Sequence, residues 1–246
     1  MLSNAAFNHQ SMSFKDEATG SQQLELIPSK PDLSSVFLKE LDRVLEGAQQ
    51  NPPLKPDIIQ GDARNVQNVT DQRYDLLITS PPYPNRISYI RELRPYMYWL
   101  EYLTNGREAG DLDWQAIGGT WGAATSRLAD WQRSPDGFYP DYLSSLLRKV
   151  AHADNKNGKL LSNYIAKYFE DIWLHLQSVC RVISPGGRVH YIVGNSTFYN
   201  ILLPVEKIYK DMLQALGLTE VAIKTLRKRN SKKELYEFDV TAAKGA

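Results

Sequence analysis

An α/β fold with a mostly parallel sheet is what this sequence predicts. Two observations carry the prediction. Short apolar runs of strand length alternate with segments whose apolar residues recur at helical spacing. The runs end in turn-forming clusters, Gly61-Asp62, Ser80-Pro81-Pro82-Tyr83 and Gly194-Asn195-Ser196. With 246 residues, 42% of them hydrophobic and 23% charged, there is enough apolar material for one large domain or two small ones.

The elements follow in order. Residues 1–30 mix Asn, Gln, Ser and scattered charge without a period, and read as a loosely ordered arm before a domain expected over 31–246. Leu33, Val36, Phe37, Leu41 and Leu45 lie at helical spacing, and Asn51-Pro52-Pro53 stops that helix. Residues 56–62 read as a short strand ending in a Gly-Asp turn, and Tyr74–Thr79 as a second one leading into the prolines. Beyond them Tyr89, Ile90, Leu93, Met97, Leu100 and Leu103 predict an aromatic-rich helix, with Pro95 as a kink or an early helical position.

Residues 105–157 form an insertion. Its first part, 105–140, is rich in Gly, Asp, Trp and Ser, and little regular structure is expected there. Leu161, Tyr164, Ile165, Tyr168, Phe169, Ile172, Leu176 and Val179 then keep helical period up to Ser184-Pro185-Gly186-Gly187. A third strand over 188–193, a helix over 204–216 and two last strands near 219–225 and 235–241 complete the pattern.

Several classes of function are set aside by composition. The net charge of +1 gives no general case for a nucleic-acid partner, so any basic surface has to be local. The one cysteine, Cys180, excludes an internal disulfide framework and a cysteine-built metal site, and its place in a helical pattern makes it buried filler. His9, His152, His175 and His190 show no metal-ligand spacing, so no metal is expected. With no run long enough to span a bilayer and no basic-then-apolar leader, a soluble, cytoplasmic protein is expected.

The prolines after Thr79 need a reason. In an open α/β sheet, ligands bind outside the carboxyl ends of the strands, which is where Ser80-Pro81-Pro82-Tyr83 lies. Two prolines fix φ near about −65° and supply no N–H, and a residue before proline is pushed out of the helical region. The loop is therefore a stiff frame offering a hydroxyl, carbonyl acceptors and a flat aromatic. Such a frame suits methylation of an aromatic exocyclic amine. Accepting the amine's two N–H bonds at defined positions favours the form whose lone pair points outward, so orientation replaces a strong base. A base inside a duplex has to be flipped out to reach such a pocket.

On these residues, Thr79-Ser80-Pro81-Pro82-Tyr83, the chain resembles the S-adenosylmethionine-dependent DNA amino-methyltransferases. The Ser-Pro-Pro-Tyr form is typical of those that methylate N4 of cytosine. Gly61-Asp62-Ala63-Arg64 is similar to the family's segment whose acidic residue contacts the cofactor's adenine. Residues 183–195, with Ser184-Pro185-Gly186-Gly187 before an apolar strand, resemble the turn and next strand of the same fold.

The resemblance implies a Rossmann-like class I methyltransferase sheet. It implies catalytic roles for Ser80, Pro81, Pro82 and Tyr83: Ser80 and the Pro81 carbonyl hold the target amine, and Tyr83 stacks on the base. It also implies cofactor contacts at Asp62, Ala63 and Ser80, with S-adenosylmethionine as methyl donor.

One family feature has no counterpart. The Phe-x-Gly-x-Gly cofactor loop is found neither before Asp62 nor after the last strand, and the cluster Ile117-Gly118-Gly119-Thr120-Trp121-Gly122 follows no apolar strand. The expected sheet is thus partial, about strands three to seven, and its exposed edge calls for a second polypeptide carrying the glycine loop, or a homo-oligomer. A truncated reading frame or an inactive relative are the competing explanations.

DNA is the expected partner. Arg86, Arg91 and Arg94 lie among aromatics after the loop, and Arg227, Arg229 and Lys232 in the expected last hairpin, as candidate phosphate contacts. The insertion over 105–157 is the candidate target-recognition region. The expected function is site-specific DNA methylation in a restriction-modification system, most readily at cytosine N4. The alternatives are an adenine-N6 DNA or RNA amine methyltransferase, and a non-catalytic nucleic-acid-binding subunit of a methyltransferase complex.

Overall fold

The computed structural model describes residues 32–51, 53–68, 70–85, 87–119, 123–154, 156–229 and 234–245; the arm expected over 1–30 lies outside them. The chain divides into two compact units, Met1–Ile58 and Ile59–Ala246. In the first, α1 (Leu33–Gln49) is opened by Asp32, whose carboxylate accepts from the Ser34 and Ser35 amides, two donors that the helix cannot satisfy itself.

The second unit runs through a 3-10 segment (Ala63–Asn68), β1 (Tyr74–Thr79), α2 (Tyr89–Trp99), α3 (Gly106–Gln115), α4 (Ala123–Asp130), α5 (Asp141–His152), α6 (Gly158–Val182) and β2 (Ile183–Gly194). It continues with β3 (Ser196–Phe198), β4 (Ile201–Leu203), α7 (Val205–Ala215), β5 (Thr219–Lys228) and β6 (Tyr236–Ala243). The main sheet has the order β1-β2-β6-β5.

That sheet is mixed, which corrects the expected mostly parallel order. β1 and β2 are parallel, whereas β6 is antiparallel to both β2 and β5. The cause is local: the link between β5 and β6 is too short for a crossover, so the later strand must turn back beside the earlier one. A second correction concerns 56–62, which form no strand; among the described residues β1 is an edge strand of the sheet, paired on one side by β2.

The core lies between α6, α7 and one face of the sheet. Ile165, Phe169, Ile172 and Leu176 of α6 are buried with Val189, Tyr191 and Val193 of β2, Ile208, Tyr209 and Met212 of α7, and Val240 of β6. Burial alternates along β2, with Val189, Tyr191 and Val193 inside and Arg188 outside, as a strand covered on one face requires. Each such side chain contributes roughly 1.5–3 kcal/mol by leaving water. On the other face Leu76 and Ile78 of β1 remain exposed.

The insertion is helical, against expectation. α3 begins with reciprocal caps: the Asn105 side chain accepts from the Arg107 and Glu108 amides, both at 3.0 Å, while Glu108 accepts from the Thr104 amide and hydroxyl, both at 2.7 Å. α5 buries Leu143, Leu147 and Val150 in the core beside α6. Pro95 sits inside α2 and withholds one intrahelical donor. A small hairpin, β3–β4, was also not expected; Tyr199 and Asn200 turn it with φ of 49° and 63°, matching the twist of two-residue hairpin loops.

Candidate active site and cofactor cleft

The proline loop leaves the carboxyl end of β1 beside β2. Thr79 is paired with Tyr191, and the Ser80 hydroxyl donates to the Ile192 carbonyl at 3.2 Å. With its proton so directed, the Ser80 oxygen keeps lone pairs for a further donor. Pro81 is buried, and the Pro82 carbonyl accepts a 2.8 Å hydrogen bond from Tyr168, a side chain of the core. Of the two proline carbonyls, Pro82's is therefore tied to α6. The Asn85 amide donates to the Tyr83 carbonyl at 2.8 Å and closes the turn.

Tyr83 is packed from below and from the side. A Cβ built on Gly194 would stand 2.9 Å from Tyr83 Cε2, so the ring occupies space that only glycine leaves. The Arg229 guanidinium lies 5.4 Å from the ring centroid, and its Nη1 donates to the Asn195 carbonyl at 2.9 Å. Burial pushes the Tyr83 phenol up, with the Ser80 hydroxyl acting against it. Glu237, also beside Tyr83, is held below its ordinary value by the Arg227 fork, whose Nε donates at 2.5 Å.

The arginines expected to meet DNA are thus distributed differently from the sequence pattern. Arg227 and Arg229 are engaged within the protein, by Glu237 and by Tyr83 with Asn195. Arg91 and Arg94 are half-buried on α2, which follows the loop directly and starts at the Ser88 cap. Arg86 and Lys232 lie outside the described residues.

A cleft of about 480 Å³ runs beside Asp62, Ala63 and Arg64 and reaches Pro82 of the loop. Arg64 grips both carboxylate oxygens of Asp62 at 2.7–3.1 Å and reaches Asp171 at 3.0 Å; Asp171 in turn holds Lys167 at 2.6 Å. The hydrogen bond from Arg64 holds the Asp62 carboxyl below its ordinary range. Below the cleft His175 joins it to the core: its Nδ1 meets the Ala63 carbonyl at 2.6 Å, and its Nε2 meets the Tyr191 hydroxyl at 3.0 Å. The carbonyl partner requires a proton on Nδ1, and in the neutral ring Nε2 then accepts from the Tyr191 hydroxyl. Burial pushes this imidazole down.

Of the residues expected from the sequence, Asp62, Ala63 and Pro82 line one cleft, and Ser80 lies with Tyr83 on the proline loop. Sequence reasoning missed His175, Arg64 as the keeper of Asp62, and the part of Arg229 played on Tyr83. For His175 a signal existed: it continues the buried stripe of Tyr168, Ile172 and Val179, where a polar residue needs a partner. Among the described residues no cluster of His, Cys, Asp or Glu is suited to a metal, and no helix is long and apolar enough to cross a membrane.

Asp62 lines this cleft, and Pro82 joins it to the proline loop. No Phe-x-Gly-x-Gly segment lies among the described residues.

No family model matches the sequence. The chain is similar to the Type II methyltransferase M.BsoBI of Geobacillus stearothermophilus, 23% identical in an alignment 236 residues long that covers 87% of this chain and 46% of that protein. It therefore spans about half the length of the curated relative it matches. Among solved structures it aligns with TTHA0409 of Thermus thermophilus, described as a “Putative DNA Modification Methylase”, at a TM-score of 0.35 and 16% identity, over 76% of this chain and 52% of that one. A selenomethionine form of the same protein aligns at 0.29 over 50% of each chain. The fold is α/β with a mixed sheet, and the sequence is related to that of a DNA-modifying methyltransferase.

Proposed function

We propose that this chain carries the target-amine half of a DNA amino-methyltransferase active site, acting on N4 of cytosine. The observation that carries the reading is the Ser80–Ile192 hydrogen bond: it fixes the loop, with Ser80 exposed beside Tyr83, at the carboxyl ends of two adjacent parallel strands. S-adenosylmethionine, when bound beside Asp62 and Ala63, supplies an electrophilic methyl group. Ser80 and the Pro81 carbonyl accept the two N–H bonds of the flipped base, turning its lone pair toward that methyl. Tyr83 stacks on the base and excludes water from one face. The lone pair so oriented would take the methyl group that the cofactor supplies, and the proton the amine loses would pass to solvent.

The relation to M.BsoBI supports DNA as the substrate. The open edge of β1 among the described residues supports completion of the sheet by a second polypeptide that carries the glycine-rich loop, or by another copy of this chain. In that arrangement the chain alone binds S-adenosylmethionine weakly.

The test is transfer of labelled methyl to DNA by the assembled enzyme, followed by digestion to nucleosides. N4-methylcytosine is expected, and Ser80→Ala and Tyr83→Ala each abolish it. Recovery of N6-methyladenine instead overturns the choice of base; unchanged transfer by both variants overturns the catalytic role of the loop.

A further inference from the structure

The insertion supplies one wall of the cleft that holds Asp62. Leu112 and Gln115 stand on the last turn of α3, and Ala116 and Ile117 on the bend after it. This wall is fixed to the rest of the site. The Asp113 carboxylate, 2% exposed, accepts a 2.5 Å hydrogen bond from Ser88, the residue that caps α2 just beyond the proline loop. Gly119 donates to the Ala116 carbonyl at 3.1 Å and is pressed onto Asp113, where a Cβ would stand 1.6 Å from the carbonyl oxygen. Gly118, with φ of +79°, brings the chain close to Pro82 and Tyr168. Trp114 lies under the Lys167 ammonium, 4.8 Å from its centroid, and the Asp171 that pairs with Lys167 also holds Arg64. One ionic network thus joins the Asp62 side of the cleft to the insertion.

We propose that α3 and its following bend form a wall of an adenine-nucleoside site, with Gln115 as a specificity-determining contact, so that this part of the insertion serves the methyl donor and not target recognition. The inference rests on the reading of Asp62 as a cofactor contact. Leu112, Ala116, Ile117 and Pro82 offer apolar contact to a flat ring. Gln115 carries a donor and an acceptor side by side, the pair that meets the edge of an adenine. It is exposed, so substitution there leaves the core intact.

The probe is adenosine itself, titrated into the full chain and followed by amide NMR shifts, with cytidine as the parallel titrant. The amides of Ala63, Gln115 and Ile117 move together with adenosine and report one affinity, and cytidine binds about tenfold more weakly or worse. Gln115→Trp, which fills the cleft, weakens adenosine by about tenfold, and Gln115→Ala by less.

If adenosine moves Ala63 but not Gln115 or Ile117, and both variants bind it as the parent does, the inference fails while the Asp62 reading stands. If cytidine binds as well as adenosine, the cleft is not an adenine site. Absence of any shift at Ala63 overturns both.

Discussion

The Arg229 guanidinium lies over the Tyr83 ring and is anchored on the Asn195 carbonyl, so a residue from the end of β5 holds the aromatic of the proline loop in place. An Arg–aromatic contact of this kind is worth about 0.5–2 kcal/mol. Arg229→Ala is expected to lower kcat by roughly threefold to thirtyfold on that basis, with the melting temperature little changed. Arg229→Lys restores less than half of the loss, since an ammonium cannot stack as a planar group. A variant that binds DNA more weakly at unchanged kcat would instead make Arg229 a phosphate contact.

Gly194 lies against one edge of Tyr83, next to the Arg229 guanidinium. Gly194→Ala places a methyl 2.9 Å from Cε2 and 3.1 Å from the Arg229 Nη1, so the ring and the guanidinium must both shift. Transfer is expected to fall by at least about tenfold while thermal stability drops by only about 1–3 kcal/mol, the usual cost of overpacking. Steady-state methylation beside a thermal melt checks it; full activity would mean that the ring position is not critical.

Gly119 gives a stability prediction. A Cβ there meets the Asp113 backbone oxygen at 1.6 Å, and backbone cannot swing aside as a side chain does. Gly119→Ala is expected to cost about 3 kcal/mol or more in chemical denaturation, detaching the bend after α3. A loss under about 0.5 kcal/mol would show that the bend is not held as described.

His175 makes folding pH-dependent. Its folded pKa lies below the ordinary 6.5 because burial opposes the charged ring. The unfolded chain therefore binds the proton first as pH falls, so the stabilisation is complete above about pH 6.5 and declines below it. Melts at about pH 8 and about pH 5.5 should differ, and His175→Gln should narrow the gap. An equal gap in the variant would assign the acid sensitivity to other groups.

How much of this was legible beforehand follows the range of the interactions. Local signals were read correctly: the stripe from Leu161 to Val179 became α6, and Ser80-Pro81-Pro82-Tyr83 ended a strand at the sheet's carboxyl edge. The strand expected over 56–62 failed because a strand is a property of two segments, and its apolar run finds no pairing neighbour among the described residues. The insertion was misjudged because its helices are short and rich in Gly, Asp and Trp; the Thr104-Asn105…Glu108 pattern was the readable start signal. The cleft wall at Gln115, the reach of Arg64 to Asp171 and the Arg229 stack depend on contacts between distant segments, which no window of sequence displays.

The partners Ser80 and Ile192 are 112 residues apart in the chain, and every contact between β1 and β2 closes a loop of that order. The β5–β6 hairpin and the α6–β2 passage, by comparison, join near neighbours. Loop closure of this size carries a conformational-entropy cost that local pairing avoids. In folding, the proline loop is therefore expected to be set last, onto a core built from α6, β2, β5 and β6. The same order run backwards makes β1 the first element to open, and amide exchange at Leu77 and Thr79 should outpace that at Val189 and Tyr191. The geometry of the proline loop then depends on the weakest seam of the fold, and mild denaturant is expected to disturb it before the helices melt.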